Sequence, residues 1–481
     1  MTVFDQVYIG GSWRQADGEK RPLINPDTQA QDAELICASV DACHAATASA
    51  RRAFEAGWGR SDLLTRRAAL NQVITQIEAR AEDLAQCISR ELGAPIDFAR
   101  SAQVSAALAH LRATERAMTT RPQDRPLTTN PDHRLRYEPL GVAGLITPWN
   151  WPLNQVALKL GGALAAGCTM VLKPSELSSR TALILTEAIH AADLPPGVFN
   201  LITGASDIGA ALIASPDIDV VSFTGSTQTG RFIAAEAAQR MTRTTLELGG
   251  KSANILFEDC NLETALTQGL AHCFRNAGQS CNAASRMLIA RDIYDDAVAL
   301  AAQIADATQV DRPHLSGAHI GPQISASQYA KVQAFIAGVE TQGMRLIAGG
   351  TGRPNHLETG YYSRPTVFAD VPPDAPLFQD EIFGPVLTMT PFDSEEEAIA
   401  LANATPYGLA GYIQTADPAR ADRVAKSLRV GMVQVNGISR EDGAPFGGRG
   451  LSGYGREAGL WGIRAFQDVK SISGAALVDP V

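Results

Sequence analysis

The chain has 481 residues, 45% hydrophobic and 19% charged, a balance that can bury a large interior and excludes a disordered polypeptide. At roughly 150 residues per domain it should divide into about three units or a large pair. Lys and Arg total 41 against 51 Asp and Glu, and the net charge of -10 speaks against a general polyanion-binding surface, so no nucleic-acid partner is expected.

The start, MTVFDQVYIGGSW, lacks the basic and apolar regions of a secretory signal. The longest apolar run, GGALAAGCTMVL, is far below the roughly 20 residues a bilayer span needs. A cytoplasmic protein without membrane association is expected.

From Asp41 to about Met118 the pattern is helical, first in DACHAATASARRAFEAGW and then in SDLLTRRAALNQVITQIEARAEDLAQCISRELG. Each stretch opens on an N-cap residue, and the second, read as one long amphipathic helix, closes on Gly93. Prolines in TTRPQDRPLTTNPDHRLRYEPL then break the helical period, and a strand-like alternation begins at Arg134, which suggests a protrusion from the main body.

Between Gly141 and about Leu248 short apolar strands alternate with helices: GVAGLIT, CTMVLKP, GVFNLIT, DVVSFTG and RTTLELG are the strands. Repeated βα units imply a parallel sheet covered on both faces, a doubly wound nucleotide-binding pattern. After Gly250 a second α/β series follows, with strands at SANILFE, RMLIAR, VLTMTPFD and GMVQVNG and helices near 292 to 308, at 325 to 343 and over EEEAIALAN. The tail FQDVKSISGAALV alternates like an edge strand that could pair with the protrusion or with another subunit.

Seven cysteines, Cys37, Cys43, Cys87, Cys168, Cys260, Cys273 and Cys281, are an odd number without a CxxC pair, which argues against a disulfide framework. His272 and Cys273 lack a paired ligand motif, so no metal is expected. For Cys281, set in CFRNAGQSCNAASR, packing or chemistry remains. The turn VVSFTGSTQTG ends a strand and opens a helix with glycines at 225 and 230, an arrangement that lets backbone approach a phosphate, although a plain tight turn reads equally well. Lys173 and Glu176, just past a neighbouring strand, stand where such sheets bind ligands. A carboxylate there accepts from two ribose hydroxyls and repels a 2'-phosphate; exposed ion-pair partners are the plainer alternative.

Taken in order, TPWNWP (147 to 152), LKPSE (172 to 176), FTGST (223 to 227), LELGGKS (246 to 252), GQSC (278 to 281), EIFGP (381 to 385) and PFGGRGLSGYGRE (445 to 457) resemble the successive signatures of the NAD(P)-dependent aldehyde dehydrogenase superfamily, of the hydrolytic type. The resemblance implies an α/β fold with a Rossmann-like cofactor domain (1–118 and 140–249), a second α/β catalytic domain (250–464) and a small β oligomerisation arm (119–139 and 465–481). It implies that Cys281 is the nucleophile, Glu247 the general base and the Asn150 amide part of an oxyanion hole. Lys173 belongs with these catalytic residues and, with Glu176, also holds the adenosine ribose. Gly225 and Ser226 take the pyrophosphate, Glu381 and Phe383 the nicotinamide ribose and ring, and Ile146, Thr147, Trp149, Gly204 and Leu248 complete the cofactor cleft. The cofactor implied is NAD, with NADP left open.

An aldehyde would be oxidised to its acid through a cysteine thiohemiacetal and a thioester, the thioester hydrolysed by water that Glu247 activates. Two alternatives are a coenzyme A-acylating enzyme, which would be expected to lack a base at Glu247, and an inactive binding member, which would be expected to have lost Cys281 or Asn150. Trp151, Gln155, Arg275 and Ser280 are the residues expected in the aldehyde tunnel. Arg275 stands where many members carry a bulky apolar residue, and it could hold a substrate carboxylate, as in the succinic semialdehyde branch. Leu158 stands where that branch usually has a second arginine, so neutral aromatic or aliphatic aldehydes stay open, as does an Arg275 salt-bridged outside the tunnel. The family also more often carries lysine at Arg449, glycine at Ala458 and phenylalanine at Trp151. Pairing of the arm across subunits leads to an expected homodimer or homotetramer.

Overall fold

The computed structural model describes residues 1–120, 124–341 and 344–474. The segments after Gly141 become strands because each is a short aliphatic run, and every residue of Val142–Thr147, Thr169–Pro174 and Val220–Thr224 is buried, as a sheet covered on both faces requires. They form the centre of an eight-stranded sheet. Its spatial order is Gly453–Tyr454, Arg243–Glu247, Val220–Thr224, Val142–Thr147, Thr169–Pro174, Phe199–Leu201, Gln6–Ile9 and Ser12–Gln15. The five middle strands run parallel, and the flanking strands add antiparallel at both edges.

A seven-stranded sheet holds the second series, in the order Arg345–Ala348, Thr366–Ala369, Val386–Phe392, Arg286–Ala290, Ala253–Leu256, Ala410–Gln414 and Met432–Val435. All its pairings are parallel except the one between its first two strands. Thr2–Phe4, Lys20–Ile24 and Gln31–Ile36 make a separate small sheet. The fold class is thus α/β with two major sheets, a Rossmann-like one and a second α/β one. The tail strand Gln467–Ser473 pairs antiparallel with Asn130–Pro139, from Gln467 against Pro139 to Ser473 against His133. Its alternation therefore finds a partner in the protrusion of its own chain. Residues 121–123 and 475–481 of the expected arm, and 342–343 at the end of the expected 325–343 helix, lie outside the described residues.

Some local expectations are corrected. The stretch expected as one helix is two, Leu63–Ala79 and Ala81–Leu92. They separate at Arg80, whose amide donates to the Ile77 carbonyl and tightens the last turn. The break lets the second helix aim Leu84, Ile88 and Leu92, one stripe at four-residue spacing, into the core. The helix Val40–Ala56 is capped by Ser39, two residues before the expected Asp41, and Asp62 rather than Ser61 caps the next. The strands contributed by residues 6–15 and 453–454 were not legible, because edge pairing is decided by distant partners rather than by local period.

Candidate active site

The segment that carries the candidate nucleophile is shaped by an unusual turn. After the helix Leu262–Phe274, three successive residues adopt left-handed backbone: Asn276 (φ 58°), Ala277 (φ 55°) and Gly278 (φ 72°). Two of them are not glycine, so the turn stores strain that surrounding contacts must hold. Gly278 is required for a second reason, since a Cβ there would lie 2.1 Å from the Gly384 backbone.

A lattice of side-chain amides supplies that hold. Gln103, from a π-helical turn at Ala99–Val104, donates to the Asn150 carbonyl (3.1 Å) and to Asn276 Oδ1 (3.4 Å). Asn276 Nδ2 donates to the Asn150 carbonyl at 2.9 Å, and Gln279 Nε2 returns a bond to the Asn276 carbonyl at 3.0 Å. Asn150, only 3% exposed, donates from Nδ2 to the Gln279 carbonyl at 2.9 Å. A primary amide has two N–H groups. One orients Asn150 on the segment that bears Cys281; the second has no partner among the described residues.

Glu247 ends the strand Arg243–Glu247 and is 2% exposed, with neither carboxylate oxygen hydrogen-bonded among the described residues. Burial, and after it the nearby Glu457, push its pKa well above the usual carboxylate range, while Lys159 and Arg456 pull it back. Lys159 is fully buried and donates to Thr224 Oγ1 (2.8 Å) and to Glu457 Oε1 (2.5 Å). Burial also raises the Cys281 thiol pKa, and Glu381 and Glu247 add to the effect.

Cys281 opens into a cavity of about 460 Å3 that Trp151, Gln155 and Arg275 also line. Arg275 has no ion pair among the described residues and sits over the Trp151 ring, 5.8 Å from its centroid, so it is not salt-bridged outside the cavity. Leu158 lines the same space. Ser280 corrects its expectation: it is buried away from the lining, and its Oγ accepts from Trp151 Nε1 at 3.0 Å, bracing the indole.

Across the carboxyl ends of the parallel strands lies the second cluster. Lys173, 5% exposed, has its Nζ only on the Pro174 carbonyl (3.2 Å) among the described residues, and burial lowers its pKa. Glu176 starts the next turn beside it. Gly225 leads to exposed Ser226, which caps the helix Thr227–Ala238 by accepting from the Thr229 amide at 3.2 Å. Ile146 and Thr147 close the strand Val142–Thr147, and Thr147 Oγ1 is buried without a partner among the described residues. Gly204 and Leu248 are buried at neighbouring strand ends, with Leu248 N–H on the Ser452 carbonyl. Trp149 meets Phe383 edge-on, centroids 5.5 Å apart. Glu381 Oε1 accepts from the Gly250 amide at 3.1 Å, and burial raises its pKa to about 6. A Cβ at Gly249 would lie 2.2 Å from Glu381 Oε2, so a side chain there would displace the Glu381 carboxylate.

Sequence reasoning missed several groups. Lys159 and Glu457 are 298 residues apart, and no short motif links them. His272 and Tyr412 hold the residues after the nucleophile: Tyr412 donates to the Asn282 carbonyl (2.8 Å), and His272 Nδ1 accepts from the Ala284 amide (3.2 Å). Burial, with Arg275 next, lowers the His272 pKa to about 4, in keeping with a neutral ring whose Nδ1 accepts. All seven cysteines are free thiols, and no helix among the described residues is long and apolar enough to cross a membrane.

Residues 13–472 match the model of the aldehyde dehydrogenase family. The chain is 42% identical over 477 residues to 3-succinoylsemialdehyde-pyridine dehydrogenase of a Pseudomonas species, covering 98% of this chain and 99% of that protein. It is 38% identical over 500 residues to the chloroplastic betaine aldehyde dehydrogenase of Atriplex hortensis, covering 99% and 97%. Among solved structures, an aldehyde dehydrogenase from Bartonella henselae superposes with a TM-score of 0.96 at 45% identity, over 98% of this chain and 100% of that one. A mutant aldehyde dehydrogenase C from Pseudomonas syringae, in complex with NAD+ and octanal, superposes with a TM-score of 0.96 at 41% identity, over 99% and 98%.

Proposed function

This chain belongs to the aldehyde dehydrogenase family, and on that footing we propose that it oxidises an aldehyde to the carboxylic acid with NAD+, using Cys281 as nucleophile, Asn150 as oxyanion donor and Glu247 as base. The observation that carries the assignment is the buried Glu247 carboxyl group, without a hydrogen-bond partner among the described residues and close enough to the Cys281 thiol to raise its pKa. A purely structural glutamate at 2% exposure would be expected to have partners.

The Cys281 sulfur attacks the carbonyl carbon once its proton has been drawn off, and Glu247 is the adjacent acceptor. The spare N–H of Asn150 and the backbone N–H of Cys281 stabilise the oxygen as it gains charge. The nicotinamide cofactor, when bound, accepts the hydride that leaves this carbon. Once Glu247 has released the thiol proton to solvent, it takes a proton from water as that water attacks the thioester on Cys281, and the departing sulfur recovers this proton as the acid leaves. Burial raises the proton affinity of Glu247 first, Glu457 raises it further, and Lys159 with Arg456 draws it back.

The residues present fit a dinucleotide. Lys173 and Glu176 pair a cation with a carboxylate where two ribose hydroxyls need both a donor and an acceptor, and the carboxylate disfavours a 2'-phosphate. The Gly225–Ser226 turn offers backbone N–H groups at a helix N-terminus to the pyrophosphate. Glu381, Phe383 and Trp149 flank the nicotinamide end, and the Thr147 hydroxyl, at a strand end, is buried without a partner among the described residues. Lys173 is read here as a cofactor ligand. In this reading the first sheet is the cofactor domain, the second the catalytic domain, and the Asn130–Pro139 and Gln467–Ser473 ribbon, with its open edges, the arm that forms a homodimer or homotetramer.

The test follows reduced-nicotinamide absorbance with purified protein, NAD+ or NADP+, and a panel of aldehydes. Turnover that favours NAD+ and disappears in Cys281→Ala is expected. Equal rates in variant and wild type would remove Cys281 from the mechanism, and dependence on added coenzyme A would favour the acylating reading.

A further inference from the structure

Gln103 ties the candidate oxyanion donor and the turn before the nucleophile to a third element. Its side chain is 0% exposed and belongs to the π-helical turn Ala99–Val104, which runs into the helix Ser105–Ala117. Turns of this kind are rare and are found most often where a side chain is aimed at a functional site. Here the aimed group is a primary amide. Its Nε2 reaches the Asn150 carbonyl (3.1 Å), 47 residues along the chain, and Asn276 Oδ1 (3.4 Å), 173 residues along. A main-chain carbonyl can only accept, so the nitrogen of the amide must face it, and both N–H groups are committed.

Two further observations set Gln103 apart from a residue that only fills the core. Its Oε1 is buried without a partner among the described residues, a cost that an apolar side chain of the same size would avoid. Its bonds also complete a set that contains the site. Asn276 Nδ2 donates to the Asn150 carbonyl (2.9 Å) and to the Gln279 carbonyl (3.2 Å), and Asn150 Nδ2 donates to that same Gln279 carbonyl (2.9 Å). Gln103 grips this set at two points, the backbone of Asn150 and the side chain of Asn276. The helix Ser105–Ala117 packs along the helix Pro152–Ala166, which begins just after Asn150, so the grip is borne by regular elements rather than by loops.

Without Gln103, Asn276 Oδ1 loses its one partner among the described residues, and nothing then fixes the rotation of the Asn276 amide whose nitrogen holds both carbonyls. The free N–H of Asn150 loses its set distance from Cys281, and a displacement of about 1 Å at a reacting centre costs about 10²-fold in rate. We propose that Gln103 is a positioning residue for the aldehyde reaction, fixing the Asn150 amide against the segment that bears Cys281 before the carbonyl arrives. The proposal rests on the reading of Asn150 as oxyanion donor.

The test measures the single-turnover rate of reduced-nicotinamide formation at saturating NAD+ and aldehyde, well below every denaturation midpoint. Wild type, Gln103→Glu, Gln103→Met, Asn150→Ala and each Gln103 variant combined with Asn150→Ala are compared. Gln103→Glu keeps the side-chain size but, ionised, presents acceptors to acceptors; Gln103→Met is neutral and keeps the packing, so the cycle survives if the other variant fails to fold. Each should slow the single turnover roughly 10- to 100-fold, less than loss of the Asn150 donor itself, with the aldehyde KM changed much less. In the Asn150→Ala background the same substitutions should change the rate by less than about twofold, because the group they position is gone. A single variant within about twofold of wild type, or a rate loss carried over in full to the Asn150→Ala background, would overturn the proposal and leave Gln103 a residue of stability alone. Asn150→Ala as fast as wild type would instead sink the oxyanion reading beneath it.

Discussion

Replacing Lys159 with Met separates what the buried charges behind Glu247 do for stability from what they do for catalysis. Lys159 is 0% and Glu457 3% exposed, and their contact is 2.5 Å, so both ions are out of water and each is the other's main compensation. In Lys159→Met the Glu457 carboxylate keeps only Ser222 Oγ at 3.2 Å. Breaking a buried pair on one side costs about 3–5 kcal/mol, and at about 2–4 °C per kcal/mol for a large domain the unfolding temperature should fall by roughly 6–20 °C. The double variant Lys159→Met/Glu457→Gln removes the orphaned charge and should regain most of the loss. The catalytic consequence has a fixed sign. Lys159 lowers the Glu247 pKa, so its loss makes ionisation of Glu247 harder and moves the acid limb of the pH–rate profile to higher pH. Calorimetry and a pH profile of kcat with a single aldehyde read the two effects. A single variant within about 1 kcal/mol of wild type, or an acid limb that stays put or moves down, would refute the reasoning.

Asn150→Ala removes the free donor beside Cys281, and steady-state kinetics should show kcat reduced by about 10²–10³ with KM changed much less. Glu176→Ser removes the carboxylate that opposes a 2'-phosphate; the ratio of kcat/KM with NADP+ to that with NAD+ should rise on the order of tenfold. Ala458, buried before the short helix Gly459–Arg464, has φ 71° and ψ 144°, a region that side chains resist. Ala458→Gly should therefore raise stability by about 1 kcal/mol, measured as a higher denaturation midpoint.

Legibility in the sequence followed chain distance. Cys281, Glu247 and Asn150 each sit in a short run that marks them in the sequence as candidates. The parallel strands could be named because burial on both faces writes a continuous apolar run, as in Thr169–Pro174. The edge strands Gln6–Ile9 and Gly453–Tyr454 carry no such mark, since their place depends on a partner strand far along the chain. The Lys159–Glu457 pair and the His272–Tyr412 brace were invisible for the same reason. Ser280 shows a subtler limit. Its neighbour Cys281 faces the cavity, whereas the serine hydroxyl accepts from Trp151 Nε1. The oddity at Ala458 was noticed as a departure from a family pattern, and only the backbone angle gives it a physical meaning.

The most direct measurement of the central claim is a single turnover of Glu247→Gln with NAD+ and an aldehyde, quenched in acid and followed by intact-mass and peptide analysis. With the base removed, the account predicts that reduced nicotinamide forms more slowly than in wild type and stops at one equivalent per active site, with an acyl adduct on the Cys281 peptide that hydrolyses slowly. Undiminished steady-state turnover without an adduct, or an adduct on another of the seven cysteines, would contradict it.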